Sequence, residues 1–280
     1  MLFCGCLCIL WMSYSITGTP IPDEVVDMSY SYDESTLGWP GQRKFRLKII
    51  HNGTAAEGYW FQAEEFAMAT HIGTHLDAPC HFAKGKWSVE ELPLNHLVAP
   101  AAVIDISNKS EADNDTLLQI QDLEKWERLS GQSLDATIVL IRSGWGSRWP
   151  DKGNFTGTIE NGTDNLHFPG ISKEAAQWLV DNRSIYGIGI DTLSLDNGPS
   201  KDYMAHRILL GANIFGLENV ANVDEIPIYG ANLHVFPMKL GRSCGAPVRI
   251  IATYPKVGFS EKLGKSVTED TLREIIIFTK

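Results

Sequence analysis

Short runs of β-branched and aliphatic residues alternate with amphipathic stretches along this chain of 280 residues. Four runs predict buried strands, at residues 101–106, 136–141, 185–190 and 248–252. Alternation of buried strands with helices is typical of an α/β domain. No internal repeat, low-complexity segment or Pro/Ser-rich linker marks a boundary between residues 21 and 255. The sequence therefore predicts one α/β domain.

Two stretches carry helix signals. Residues 116–129 place an apolar side chain at every third position with acidic residues between them, and Gly131 predicts the end of this helix. Ser172 is the expected N-cap of a second helix, which runs to residue 182. The long segment between residues 143 and 170 is rich in Gly, Trp and Asn-x-Ser/Thr sequons, which predicts a surface loop.

The two ends of the chain differ from its centre. The first twenty residues contain no Asp, Glu, Lys or Arg, and their apolar run is shorter than the roughly 20 residues needed to span a bilayer. Residues 1–19 are therefore predicted to be a signal peptide, with a short membrane anchor or a buried strand as the alternatives. No later stretch is apolar enough to cross a membrane. Residues 256–280 form a C-terminal extension whose last part suits either a docking helix or an edge strand.

Asn-x-Ser/Thr sequons support passage through the secretory route. The chain has six of them, whereas its thirteen Asn residues lead one to expect about two by chance. They begin at Asn52, Asn108, Asn114, Asn154, Asn161 and Asn182. We expect a secreted, N-glycosylated eukaryotic protein.

Charge and cysteine content exclude two classes of protein. Lys and Arg number 24 against 34 Asp and Glu, and a net charge of −10 does not suit a nucleic-acid binder. Only Cys80 and Cys244 remain after the predicted signal peptide, so the domain is not a disulfide scaffold. The sequence leaves open whether these two form one disulfide or two thiols.

The most informative segment is a cluster of metal-ligating side chains within eleven residues. Its members are His71, His75, Asp77 and His81. Gly73 and Pro79 interrupt regular structure between them, so a tight irregular turn can direct several donors to one point. Imidazole and carboxylate groups suit Zn²⁺, Mn²⁺ or Fe²⁺. Because no cysteine pair is available to close a structural zinc shell, an open, catalytic metal site is favoured over buried structural histidines.

The spacing His-x-Gly-Thr-His-x-Asp-x-Pro-x-His, followed by Phe82, resembles the signature of the cyclase family, which includes bacterial-type kynurenine formamidases (arylformamidases) and isatin hydrolases. Further matching segments lie at residues 26–29, 39–41, 188–196, 206–219 and 245–249. The resemblance therefore covers nearly all of a domain predicted at residues 20–255. It implies a single swivelling β/β/α domain with a β-barrel-like core, assembled as a homodimer or a higher homo-oligomer.

The resemblance also implies a ligand set. The first metal corresponds to His71, His75 and Asp77, and a second metal shares Asp77 with His206 and Glu218. The residues alone would make His206 and Glu218 weak candidates, since a histidine and a glutamate are common on helix surfaces and at caps. The expected cofactor is Zn or Mn, with one or two ions per subunit.

The same comparison assigns proton transfer to His81 and places Trp39 in the substrate pocket, where Trp60 or Trp87 could extend the aromatic wall. Gln42 stands where relatives often have an acidic residue, and Cys80 where aromatic side chains are common. These departures lie beside the expected pocket.

The implied activity is that of a metal-dependent amidohydrolase acting on a small aromatic amide. The best match is hydrolysis of N-formyl-L-kynurenine to L-kynurenine and formate, a step of tryptophan catabolism, and the alternative is opening of an isatin-type lactam. A further alternative is a secreted binding protein that keeps the metal site without turnover.

Overall fold

The computed structural model describes residues 24–255. The predicted signal peptide and the C-terminal extension lie outside these residues. No helix among the described residues is long and apolar enough to cross a membrane.

Strands and helices alternate through most of the described chain. The strands are β1 Glu24–Asp27, β2 Arg46–Thr54, β3 Trp60–Ala67, β4 His75–Asp77, β5 Val98–Asp105, β6 Leu117–Leu118, β7 Ile138–Arg142, β8 Gly170–Ile171, β9 Gly187–Ile190, β10 Phe215–Glu218, β11 Tyr229–Pro237 and β12 Gly245–Tyr254. The helices are α1 Ser107–Ala112, α2 Ile120–Ser130, α3 Lys152–Thr156, α4 Lys173–Asn182 and α5 Met204–Gly211. This mixed composition confirms the predicted α/β class.

Seven strands close into a barrel, in the order β12, β11, β5, β7, β9, β10 and β4, with β4 pairing back to β12. The pairs from β5 to β10 are parallel, whereas β4, β11 and β12 join by antiparallel pairs. The barrel can close because β12 is long enough to pair with two strands along one edge. The first residues of β12 pair with β4, and its last residues pair with β1. The predicted barrel-like core is confirmed.

The parallel strands of the barrel, β5, β7, β9 and β10, are largely buried on both faces. Along β5, Ala101 and Val103 join one core cluster while Ala102 and Ile104 join another. The first cluster gathers residues of all the barrel strands except β9, and the second includes apolar residues of α2, α4 and α5. Successive side chains of a strand point to opposite faces, so a strand covered on both sides must be apolar throughout. That is why the strands predicted at 101–106, 136–141 and 185–190 were readable as largely apolar runs, whereas β12 carries the exposed Arg249.

The predicted helices exist, with one boundary shifted. The Ser172 hydroxyl accepts a hydrogen bond from the Ala175 amide and caps α4, as expected. Gly131 ends α2 with a left-handed backbone, also as expected. However, α2 begins at Ile120 rather than at residue 116, because residues 117–118 form β6 and pair with β8.

The prediction that residues 143–170 form a surface loop was wrong in part. This segment folds around its own core, in which Trp145, Phe155 and Phe168 are fully or almost fully buried. The Trp145 indole donates a hydrogen bond to the Phe155 carbonyl at 2.7 Å. Trp39 packs against the same cluster. The segment is therefore a structural support for the region around Trp39.

Candidate metal centre and substrate cavity

Strand β4 and its flanking turns position the signature residues. Gly73 adopts φ +60° before the strand, a conformation open to glycine at little cost. His75 and Asp77 occupy alternate positions of β4 and share one face. A turn of 3-10 helix at Pro79–His81 then brings His81 back towards that face. The irregular geometry predicted from Gly73 and Pro79 is present.

The pairing of β4 brings distant residues to the signature. Glu218 lies directly opposite His75 in the antiparallel β10–β4 ladder, which places both side chains on one face of the sheet. Gly245 lies opposite Asp77 on the other side. A Cβ at Gly245 would lie 2.3 Å from the His71 ring, so only glycine leaves room for that imidazole.

Asp77 joins two groups of possible ligands. Its Oδ1 atom lies 2.6 Å from His71 Nδ1 and 3.3 Å from His75 Nε2, while its Oδ2 atom lies 3.3 Å from His206 Nε2. Glu218 completes the second group, with Oε1 3.0 Å from His206 Nε2. Within each group the ligand atoms lie within 4.8 Å of one another. All five predicted ligand positions therefore converge.

The orientation of two imidazoles suits the binding of a divalent cation. His75 Nδ1 lies 3.0 Å from the Gly73 carbonyl, and His206 Nδ1 lies 2.6 Å from a carboxylate oxygen of Asp196. Each Nδ1 therefore carries a proton, and the Nε2 atom of each ring faces carboxylate oxygens of Asp77 and Glu218. His75 Nε2 is buried and has no hydrogen-bond partner. Ring nitrogens that face carboxylates in a buried site suit a divalent cation.

The pKa of His75 reflects the same arrangement. Burial lowers this pKa, but the carboxylates of Asp77 and Glu218 outweigh burial and raise it to about 10. The negative charge that favours a proton on His75 also attracts a divalent cation. The residues present thus fit the metal that the sequence implies.

Asp196 is a site residue that the sequence analysis did not identify. Its carboxylate accepts hydrogen bonds from the backbone amides of Ala205 and His206 at the start of α5, and from the His206 ring. It thereby fixes the ring orientation of His206. No local sequence pattern indicated this role, because a carboxylate ten residues before a histidine is not a recognisable motif.

His81 lies beside the ligand cluster. Its ring stacks on that of His71, with centroids 4.0 Å apart. Burial lowers the pKa of His81, so the ring is neutral at pH 7 and can accept a proton.

The opposite nitrogen of His71, Nε2, lies 3.4 Å from the Cys244 sulfur. Cys80 and Cys244 are free thiols, which settles the alternative left open by the sequence.

A cavity of about 310 Å³ opens over these residues. Trp39 lines it, whereas neither Trp60 nor Trp87 does. Trp60 lies exposed at the start of β3, and Trp87 packs against the main core. Phe82 and Tyr203 provide the rest of the aromatic wall, with centroids 5.6 Å apart. Tyr203 was not foreseen, because an aromatic residue before a helix has no distinctive signal.

Comparison with known proteins decides the family. The model of a family described as putative cyclase matches residues 26–197, more than half of the chain. The chain belongs to the cyclase family. An isatin hydrolase of Roseibium aggregatum is 34% identical over 209 residues, covering 72% of this chain and 78% of the relative. The family assignment made from the signature is confirmed.

Other members of the cyclase family match a larger share of the chain. A kynurenine formamidase of Geobacillus thermodenitrificans is 32% identical over 227 residues, covering 80% of this chain and 94% of the relative. The solved structure of isatin hydrolase A from Ralstonia solanacearum superposes with a TM-score of 0.75 at 32% identity, covering 82% of this chain and 92% of that one. These relatives are hydrolases by name, and the chain is a hydrolase of this family.

Proposed function

We propose that this protein is a metal-dependent hydrolase of small aromatic amides, with an aryl formamide such as N-formylkynurenine or an isatin-type lactam as substrate. The observation that carries the proposal is the convergence of three imidazoles and two carboxylates beneath a cavity with an aromatic wall. The names of the relatives supply the two substrate types.

The ligand atoms allow one or two ions, because Asp77 belongs to both groups. A divalent cation, Zn²⁺ or Mn²⁺, supplies polarisation of the substrate carbonyl and acidification of a water molecule. His71 and His75 would hold the first ion with Asp77, and His206 and Glu218 would complete a second group with the same carboxylate.

His81 is the residue proposed for proton transfer. Its ring borders both the cavity and the ligand cluster, and none of its nitrogens is committed to a hydrogen bond recorded among the described residues. As a neutral imidazole it accepts a proton from water during attack and returns it to the leaving amine. Trp39 and Phe82 offer ring faces against which a planar substrate can stack.

The proposal is tested by metal analysis together with a substrate panel. The purified protein is expected to contain about one or two equivalents of Zn or Mn and to hydrolyse N-formylkynurenine or isatin. Dialysis against a chelator should abolish turnover, and adding the metal back should restore it. Full activity in metal-free protein, or no hydrolysis of either compound by metal-loaded protein, would contradict the proposal.

The hairpin formed by β2 and β3 supports the proposal of a homo-oligomer. Among the described residues these strands pair only with each other, and they carry large exposed apolar side chains. The side chains of this hairpin surface are Leu47, Ile49, Ile50, Tyr59, Trp60, Phe61 and Phe66. A two-stranded hairpin is marginally stable in water, and an apolar patch of this kind marks an interface. A second copy of the chain is the partner that the family resemblance suggests.

Charged substitutions on the hairpin should disrupt the oligomer. The double variant Phe61→Glu/Phe66→Glu is expected to be monomeric by light scattering and the wild type to be a dimer or larger, because two exposed aromatic side chains of the proposed interface are replaced by charges. Leu94→Glu is the control, since Leu94 is 81% exposed outside the hairpin. The wild-type protein is measured at tens of micromolar, where a binding free energy of about 8 kcal/mol is enough for assembly. A monomeric wild type at that concentration would rule the interface out.

Secretion and N-glycosylation are also proposed. All six sequon asparagines are exposed, which an acceptor site requires. Expression of the full chain in eukaryotic cells should release protein into the medium, and peptide N-glycosidase should increase its gel mobility. Retention in the cytosol with unchanged mobility would contradict this proposal.

A further inference from the structure

The His71 ring is closely packed at the start of β12. Gly245 leaves room for the imidazole, because a Cβ at this position would lie 2.3 Å from the ring. The His81 ring stacks on His71, with centroids 4.0 Å apart. The Cys244 sulfur lies 3.4 Å from Nε2 of His71. These contacts restrict the plane of the imidazole and leave its two nitrogens facing different groups.

The two nitrogens of His71 have different partners. Nδ1 lies 2.6 Å from Asp77 Oδ1 and faces the ligand cluster, whereas Nε2 faces Cys244. A neutral imidazole carries one hydrogen, so a ring that binds a cation through Nδ1 carries its hydrogen on Nε2. The His71 side chain is only 12% exposed, and an N–H in such a position needs an acceptor. Among the described residues, Cys244 is the only hydrogen-bond partner of this nitrogen.

The position of Cys244 is set by the closure of the barrel. Gly245 pairs with Asp77 in the ladder between β12 and β4, and the Ala78 amide donates a hydrogen bond to the Cys244 carbonyl at 2.9 Å. The sulfur is therefore held against the same strand that carries His75 and Asp77. A thiol sulfur is a weak acceptor, and 3.4 Å from a ring nitrogen is a hydrogen-bonding distance for sulfur.

We propose that Cys244 is a positioning residue of the metal centre, whose sulfur accepts a hydrogen bond from Nε2–H of His71 and thereby presents Nδ1 to the cation. The inference rests on the proposed function, because it requires a divalent cation beside His71 and Asp77. Histidines that bind metals generally donate their second N–H to an acceptor, which fixes the ring orientation and the position of the hydrogen. Loss of such an acceptor weakens metal binding by about 10- to 100-fold.

The test measures the dissociation constants for Zn²⁺ by competition with a chromophoric chelator. In Cys244→Ala the constant of one bound ion should rise by about tenfold, because Nε2–H loses its acceptor. In Cys244→Ser the hydroxyl oxygen can still accept, so most of the affinity should be retained. Cys80→Ala is the matched control. It removes the other free thiol, whose sulfur lies 3.8 Å from the Ser243 carbonyl, and should leave the affinity for Zn²⁺ unchanged.

Cobalt distinguishes a hydrogen-bond acceptor from a metal ligand. This control is needed because His71, His81 and Cys244 also lie close enough together to hold a cation. A thiolate bound to Co²⁺ gives an intense charge-transfer band in the near ultraviolet, whereas a sulfur that only accepts a hydrogen bond gives none. We expect no such band in the Co²⁺-loaded wild type. Its appearance would make Cys244 a ligand and overturn the inference.

Thermal unfolding separates positioning from folding. Metal-free Cys244→Ala should unfold at the same temperature as the metal-free wild type, but Zn²⁺ should raise its midpoint by less, because a ligand stabilises less as its dissociation constant rises. A lower metal-free midpoint with an unchanged effect of Zn²⁺ would show a packing role and contradict the inference.

The failure of the inference and the failure of the proposed function are distinguishable. If Cys244→Ala binds Zn²⁺ as tightly as the wild type, or if Cys244→Ser is impaired as much as Cys244→Ala, the inference is wrong although the proposed function stands. If the wild-type protein binds no divalent metal, the proposed function fails and the inference falls with it.

Discussion

Replacing Asp77 by Asn is expected to remove most of the bound divalent metal and to reduce hydrolysis by about 10³-fold, or about 4 kcal/mol of transition-state stabilisation. The reason is that both carboxylate oxygens are used. Oδ1 faces His71 and His75, while Oδ2 faces His206. An asparagine amide carries no negative charge and offers one acceptor atom, so it cannot serve both groups. Elemental analysis and turnover are measured on the same sample.

Asp105→Asn is the matched control for this change. The Asp105 carboxylate forms an ion pair with Arg142 and does not line the cavity. Its replacement should lower the free energy of unfolding without altering metal content. If Asp77→Asn bound as much metal as the wild type, the cluster at β4 would not be the metal site, and the proposed function would lose its basis.

Replacing His81 by Ala is expected to leave the metal content unchanged and to lower the hydrolytic rate by about 10²-fold or more, the usual contribution of a positioned acid–base group. His81 stacks on His71 without entering the group formed with Asp77. The ligands would therefore remain while the proton acceptor is lost. Added imidazole should restore part of the rate, because the truncated side chain leaves space beside the cavity.

His167→Ala serves as the control for His81, since His167 pairs with Asp115 on the exposed surface. It should change neither metal content nor rate. An equal loss of metal and activity in His81→Ala would make His81 a ligand rather than a proton-transfer group. Metal-loaded wild-type protein without turnover on any aryl formamide or lactam would instead favour the binding-protein alternative.

Only some of the proposed metal ligands could be identified from the local sequence pattern. His71, His75 and Asp77 were recognisable because they lie within seven residues. His206 and Glu218 were candidates by family resemblance alone, because their spacing in the sequence matches no recognisable motif. Glu218 is brought to the other ligands by the pairing of β10 with β4. The proton-transfer role of His81 and the identity of the metal remain predictions.

The loop preceding α4 shows where prediction from local pattern failed. Residues 143–170 were expected on the surface because Gly residues and sequons are frequent there. Composition describes each position by itself, whereas burial depends on which other residues come near. Trp145, Phe155 and Phe168 pack against one another and against Leu193, so this segment forms a small hydrophobic core.

The sequence by itself determined the fold class, the family, the buried strands, the cap at Ser172 and the donors around β4. Each of these depends on side-chain chemistry and on the spacing of near neighbours. The tertiary structure alone decided the closure of the barrel, the placement of Glu218 opposite His75, the role of Asp196 and the wall containing Gln42 and Tyr203. These features join residues far apart in the chain, and their contacts arise from strand register and burial, which no local pattern specifies.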